Sequence, residues 1–204
     1  MCKLKSAIIL KDRVYMPFDH DHHSKMLEEL GIQDKTQFPN FVRIETIPKD
    51  GNLFNHNEDN WLYSVDQDYL LEWYMVDIDK YREMAESKLK EWFEQRFILD
   101  IKEIRNISEG RYFVKNATVK ACDSATVEAC GSATVKAWDS ATVEACDSAS
   151  IFVPSHAYKI KNIQIKDYAT IKDMRFTPPK IYIANNFEIV TSNADDKEIC
   201  DGRK

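Results

Sequence analysis

The sequence predicts an α+β N-terminal domain followed by a short β-solenoid, a parallel β-helix built from octapeptide repeats. Three observations carry that prediction. Residues 117–148, ATVKACDSATVEACGSATVKAWDSATVEACDS, write one eight-residue phrase four times. Before it, Ile78, Tyr81, Ala85, Leu89, Trp92 and Phe93 recur at the three- and four-residue steps of an amphipathic helix. Earlier still, short apolar runs are punctuated by turn residues, the pattern of strands.

The elements follow in order. LKSAIIL and RVYM, separated by Lys11-Asp12, read as a hairpin. Ser24 is placed to cap a short helix carrying Met26, Leu27 and Leu30, with Gly31 as its stop. FVRIETIP alternates as a strand up to Pro48, KDGN turns, and WLYSV offers another strand. The long helix is expected near 77–97, within an α+β domain of residues 1–108.

Within one octad, alternation sets Ala117, Val119 and Ala121 on one face and Thr118, Lys120 and Cys122 on the other. The charged residues cannot face an interior without partners, so the small apolar set faces inward. Asp123-Ser124 supplies corner chemistry. A single octad is too short to enclose an interior, so two octads, sixteen residues, are expected per coil. The fourth-slot charges speak against this, because Lys120, Glu128, Lys136 and Glu144 would then stack like on like, whereas a coil of three octads would set Glu144 over Lys120 but leave under two coils in this stretch. The solenoid is expected over 109–176, with an echo of the phrase at ATIK, and IYIANNFEIV as a capping strand in a terminal segment of 177–204 whose tail from Asn193 is polar.

Composition bounds the function. Hydrophobic residues make up 44% and charged residues 30%, ordinary for a globular protein. No apolar run approaches the roughly 20 residues of a membrane helix. Five cysteines, an odd number without a CxxC, argue against a secreted disulfide scaffold. A cytoplasmic location, in a bacterial host, is expected. Residues 1–110 hold 15 Lys/Arg against 22 Asp/Glu, while 111–204 hold 13 against 12, so the acidity belongs to the N-terminal half.

Four clusters could carry chemistry. DHDHH, with His20, His22 and His23, could hold a transition metal, but adjacent residues point in different directions and zinc sites draw ligands from separated segments. Cys122, Cys130 and Cys146 share a repeat slot with Trp138, have no His-paired partner, and read as copies of a duplicated unit. YKIKNIQIKDYATIKDMRFTPPK carries six basic residues and could touch phosphates or form one solvated face. NEDNWLYSVDQDYLLEWYMVDID, residues 57–79, holds seven acidic residues and no Lys or Arg. It reads either as a core strand and helix with solvated carboxylates, or as a surface where Glu58, Asp59, Trp61, Tyr63, Asp66, Asp68, Glu72 and Trp73 bind a basic partner. Asp66 and Asp68 are also a weak carboxylate pair for a divalent cation. No phosphate-binding loop, dinucleotide fingerprint or nucleophile elbow occurs, so no catalytic residue and no cofactor are expected.

ILKDRVYMPFDHDHHSKMLEELGI and WLYSVDQDYLLEWYMVDIDK, followed by the ATVKA octads, resemble proteins of gut bacteria and their phages that join a small N-terminal domain to an octapeptide tail. That resemblance implies no activity and transfers no functional residue. The pairing of octads also resembles ice-nucleation proteins, although the tail is far too short for an ice template and the motif differs. The expected function is that of a non-enzymatic phage or mobile-element protein that inhibits a host defence complex, in the manner of an anti-CRISPR. Its acidic surface would dock on a basic nucleic-acid channel, direct nucleic-acid binding is not expected, and the solenoid could self-associate. The alternatives are a metal-dependent or acyltransferase-like enzyme, and an assembly module of a phage particle.

Overall fold

The structure is a computed structural model that describes residues 4–33, 40–55, 57–157, 159–160, 162–184 and 189–191. Cys2, Cys200, Tyr158, Lys161 and the polar tail lie outside the described residues. Contacts cluster into two units, residues 1–95 and 96–204. Among the described residues no helix is long and apolar enough to cross a membrane.

The first unit holds a four-stranded antiparallel sheet of order β2-β1-β3-β4. Its strands are β1 (Lys5–Leu10), β2 (Val14–Tyr15), β3 (Phe41–Pro48) and β4 (Trp61–Val65). The expected hairpin is β1–β2, closed by the Leu10 amide donating to the Arg13 carbonyl at 2.8 Å. β1 is buried on both faces, which explains its unbroken Ala-Ile-Ile run. One face packs Ile8 with Phe41 against Met26 and Leu27 of α1 (His23–Glu29). The other meets the long helix.

That helix, α3 (Ile78–Arg96), follows α2 (Glu72–Val76) and buries Tyr81, Ala85, Leu89, Trp92 and Phe93, the periodic set read from the sequence. Trp61 of β4 lies edge-on to Trp92 and Phe93, with ring centroids 6.1 and 5.3 Å apart. The cap of α1 corrects the expectation: His22, not Ser24, stands at the N-cap, and no side chain bonds there. Asp21 is spoken for elsewhere. The fully buried Lys5 gives all three ammonium donors to the Asp21 carboxylate (2.8 Å) and the carbonyls of Pro17 and His20. A buried cation requires such complete partnering, so this contact fixes the DHDHH segment.

The second unit is a β-solenoid of about five turns from residue 97 to 173. Its strands are β5 (Phe97–Leu99), β6 (Arg105–Ile107), β7 (Arg111–Lys115), β8 (Thr118–Ala121), β9 (Thr126–Cys130) and β10 (Thr134–Ala137). They continue as β11 (Thr142–Ala145), β12 (Ser150–Val153), β13 (Asn162–Ile165) and β14 (Thr170–Asp173). Successive strands alternate between two sheets, and each sheet is parallel from coil to coil. Thr134 pairs with Thr118 and Thr142 with Thr126, a register of sixteen residues. The later coil is longer: Thr170 pairs with Ser150, because the segment after Val153 inserts four residues.

The interior is narrow and made of small side chains. Ala117, Val119, Ala121 and their repeats at Ala125, Val127, Ala129, Ala133, Val135 and Ala137 are buried in one continuous core. The first coil starts at Phe97, upstream of the expected boundary at 109. The β-like alternation of ILDIKEIRNISEGRYFVKN marks these strands in the sequence, but the octad phrase is absent because the larger Val114, with Ile98 and Tyr112 partly buried against the core, takes the place of the Ala-Val-Ala set. At the far end, β15 (Lys180–Ile183) and β16 (Ile189–Thr191) pair antiparallel with β14 and β13, so each sheet ends on a strand of reversed direction.

The corners follow one rule. The seventh residue of each octad, Asp123, Gly131, Asp139 and Asp147, takes a left-handed backbone with φ of 49°, 61°, 48° and 54°. Only Gly, Asn and Asp adopt that region readily. The sixth-slot carbonyl then accepts the amide of the next octad's alanine, as from Ala125 to Cys122 at 3.1 Å. On one edge the corners are linked into a column. Asn116 Nδ2 donates to Asp100 (2.8 Å), Asn116 Oδ1 accepts the Ser132 amide (2.9 Å), and Asp147 accepts the Gly131 amide (2.9 Å). A Cβ at Gly131 would run into the Asn116 carboxamide oxygen, which accounts for the one glycine among four octads. Gly131→Ala is therefore expected to cost about 1–3 kcal/mol, measured by urea denaturation. Combining it with Asn116→Gly, which keeps the left-handed corner, should recover part of that loss.

Candidate functional site

Residues 57–79 are divided between core and surface by strand and helix parity. Along β4, Trp61 is buried and Tyr63 half-buried, while Leu62 and Ser64 face out. The Trp61 indole N–H donates to the Asn55 carbonyl at 2.7 Å. Tyr63 and Tyr74 join hydroxyls at 2.9 Å, and burial first, then that bond, pushes the Tyr63 phenol far above its usual range. Trp73 is half-buried, edge-on to Tyr81 at 5.4 Å. Of the aromatic residues singled out as partner anchors, Trp61 thus belongs to the core, and Tyr63 and Trp73 are mostly engaged in packing.

The carboxylates lie differently. Asp59, Asp66, Asp68, Glu72, Asp77 and Asp79 are exposed, and Glu58 opens the 3₁₀ turn Glu58–Asn60. Gln67 turns inward between its neighbours, accepting the Arg43 amide at 3.0 Å and donating to the Tyr69 carbonyl at 2.7 Å. That brace holds Asp66 and Asp68 outward on either side. Among these acids stand apolar side chains that composition had not distinguished: Val76 is 76% exposed, Tyr69 67% and Met75 50%, with Leu70 beside them. One short stretch thus exposes large apolar groups among carboxylates.

The histidines of DHDHH diverge. His20 Nε2 lies 3.0 Å from Glu29, which also accepts the Tyr15 hydroxyl at 2.7 Å. That hydroxyl bond is the main reason the Glu29 carboxyl is held below its usual range. His22 only stacks on His20, with centroids 6.5 Å apart. His23 turns the other way: Nδ1 is 3.1 Å from Asp66, and Nε2 is 3.1 Å from the Ile44 carbonyl. The cluster that could hold an ion is His23, Glu45 and Asp66, whose ligand atoms all lie within 4.8 Å of one another. Burial, and then the Asp66 charge, raise the Glu45 carboxyl above its usual value. No periodicity links these three residues, so only the fold brings them together.

The repeat cysteines stack as the sixteen-residue coil requires, and Cys122, Cys130 and Cys146 are free thiols. Burial pushes Cys130 up to about 12 and Cys146 up to about 11, the opposite of an activated nucleophile. Cys146, Asp147 and Asp167 also come within 4.8 Å of one another. There the carboxylates already accept backbone amides of the corner column. The basic strip does not form one face, because consecutive strands turn to opposite sheets, placing Lys166 and Lys172 apart. Arg175 within it is buried on Asp173, with bonds of 2.7–3.2 Å. A cleft is lined by Arg13, Val14, Lys80, Glu83, Met84, Ser87 and Lys88.

No protein-family model matches the chain, and comparisons with curated proteins and with solved structures likewise gave no match.

Proposed function

We propose that this chain is a non-enzymatic binding protein that captures a basic protein partner through the acidic, apolar surface of residues 66–79. The observation that carries this reading is the exposure of Tyr69, Leu70, Met75 and Val76 among Asp66, Asp68, Glu72, Asp77 and Asp79. Apolar side chains supply the area removed from water on docking, and the carboxylates steer the encounter and reject acidic competitors. The partner class this chemistry fits is a basic nucleic-acid channel, such as that of a host defence complex, which the surface would occupy in place of the nucleic acid. The octapeptide, read as a duplicated half-coil, gives the protein a rigid body and takes no part in chemistry.

The test is competition. The chain, used as bait in a bacterial lysate, should retain a nucleic-acid-binding complex and release it when DNA or RNA is added. Replacing Asp68, Glu72 and Asp77 by Lys should weaken retention roughly 100-fold. The same reversals at Glu83 and Glu86 on α3 should not. Equal capture by the first variant would remove this surface from the function, and retention unaffected by nucleic acid would remove the proposed partner class.

A further inference from the structure

We propose that His23, Glu45 and Asp66 form a binding site for one divalent transition-metal ion, which shares only Asp66 with the docking surface. The three ligands come from separate elements: the first residue of α1, the middle of β3, and the residue that follows β4. Structural and catalytic zinc sites are assembled from separated segments in this way, and one imidazole with two carboxylates is a donor set suited to zinc, cobalt or manganese.

The state of His23 is the first argument. Its Nε2 faces the Ile44 carbonyl at 3.1 Å, so that nitrogen carries the proton. A metal-bound histidine characteristically gives its outer N–H to such a carbonyl, which fixes the ring and leaves the other nitrogen's lone pair for the ion. Here that other nitrogen, Nδ1, faces an Asp66 oxygen at 3.1 Å. Nδ1 and the carboxylates of Asp66 and Glu45 thus bring their ligand atoms within 4.8 Å of one another, the convergence of lone pairs that a bound cation requires.

The second argument lies across the sheet. Ser6 pairs directly with Glu45 in the β1–β3 ladder, so both side chains stand on the same sheet face. Ser6 is 1% exposed, and its hydroxyl oxygen has no hydrogen-bond partner. Three protein donors leave zinc a position for water, a partner that the buried Ser6 hydroxyl on the Glu45 face lacks.

The experiment uses the full chain titrated with Co²⁺ and with Zn²⁺. One equivalent should bind at this site, and the cobalt form should show visible d–d absorption without the near-ultraviolet band of a cobalt–thiolate bond. His23→Ala, Glu45→Gln and Asp66→Asn should each weaken binding by more than about 100-fold, exceeding the loss typical when only a ligand's hydrogen-bond partner is removed. Circular dichroism should show each variant folded; Asp66 is half exposed, so Asp66→Asn in particular leaves the core untouched. His20→Ala and His22→Ala should bind as the parent does. Absence of binding, equal binding by the three variants, or a thiolate band would each overturn the site.

Discussion

Deleting the sixteen residues 133–148 is expected to leave a protein that unfolds cooperatively, whereas deleting only 133–140 is expected to abolish the solenoid's cooperative transition. The larger deletion removes one full coil. It joins Ser132 to Ala149, recreating the natural Ser148-Ala149 corner, and keeps every later strand on its own sheet. Coil stacks lose stability gradually as neighbours are removed, so the transition should survive with a smaller denaturant dependence. The eight-residue deletion removes half a coil. β12 would then have to enter the sheet of β9 and β11, the four-residue insertion after Val153 would sit at the wrong corner, and β15 and β16 would exchange partners. Both deletions remove Trp138, on whose ring Lys120 sits at 4.6 Å and against which His156 packs at 4.5 Å, so that loss is common to them. Urea melts followed by circular dichroism decide the matter. A half-coil deletion that melts as sharply as the parent would mean that the two sheets are interchangeable, against the register described above.

The second large effect concerns a buried charge. Glu128 is 4% exposed, and Arg111 reaches it with Nε and Nη2 at 2.6 and 2.5 Å. Its other oxygen is buried without a partner, and Glu144 lies next to it in the stack. Arg111→Ala should cost about 3–5 kcal/mol by leaving this carboxylate uncompensated. Adding Glu128→Gln should return most of that loss. The pH dependence has a definite sign. Burial raises the Glu128 carboxyl above its ordinary value of 4.5, opposed by Arg111. The folded state therefore holds the proton more tightly than the unfolded chain, and this group's contribution to stability falls as pH rises from 4.5 through the raised value. Without Arg111 the raised value moves higher still. The Arg111→Ala penalty in urea should accordingly be smaller near pH 5 than near pH 8, and a penalty independent of pH would show that Arg111 acts through packing alone.

These two effects also mark what could be read from the residues. Helix α3 was legible because its apolar spacing is unambiguous, and the solenoid was legible because alternation, small size and a fixed corner residue agree with one another. The like-charge objection to a sixteen-residue coil had force, since Glu128 and Glu144 do stack and so do Lys120 and Lys136. Their relief comes from outside the repeat in the case of Arg111, and from the Trp138 ring in the case of Lys120, neither of which periodicity reveals. The corner rule was half visible: Asp-Ser and Gly-Ser marked turns, but the left-handed backbone and the Asn116 column emerge only when coils are stacked. In the N-terminal unit, β4 alternation buried Trp61, and the exposed apolar groups came from the less conspicuous Tyr69, Leu70, Met75 and Val76. The metal-type cluster was beyond sequence reading. His23 lies far along the chain from Glu45, within β3, and Asp66, after β4, while His20 makes its own contact with Glu29.

The reversed strands at the end of the coil stack bear on polymerisation. A stack of parallel coils is a template: the last ladder of amides and carbonyls matches the first strand of another copy, and head-to-tail addition could continue without limit. β15 and β16 change the spacing of that ladder from the even pattern of parallel pairs to the alternating one of antiparallel pairs. An incoming parallel coil would meet a strand of reversed direction there.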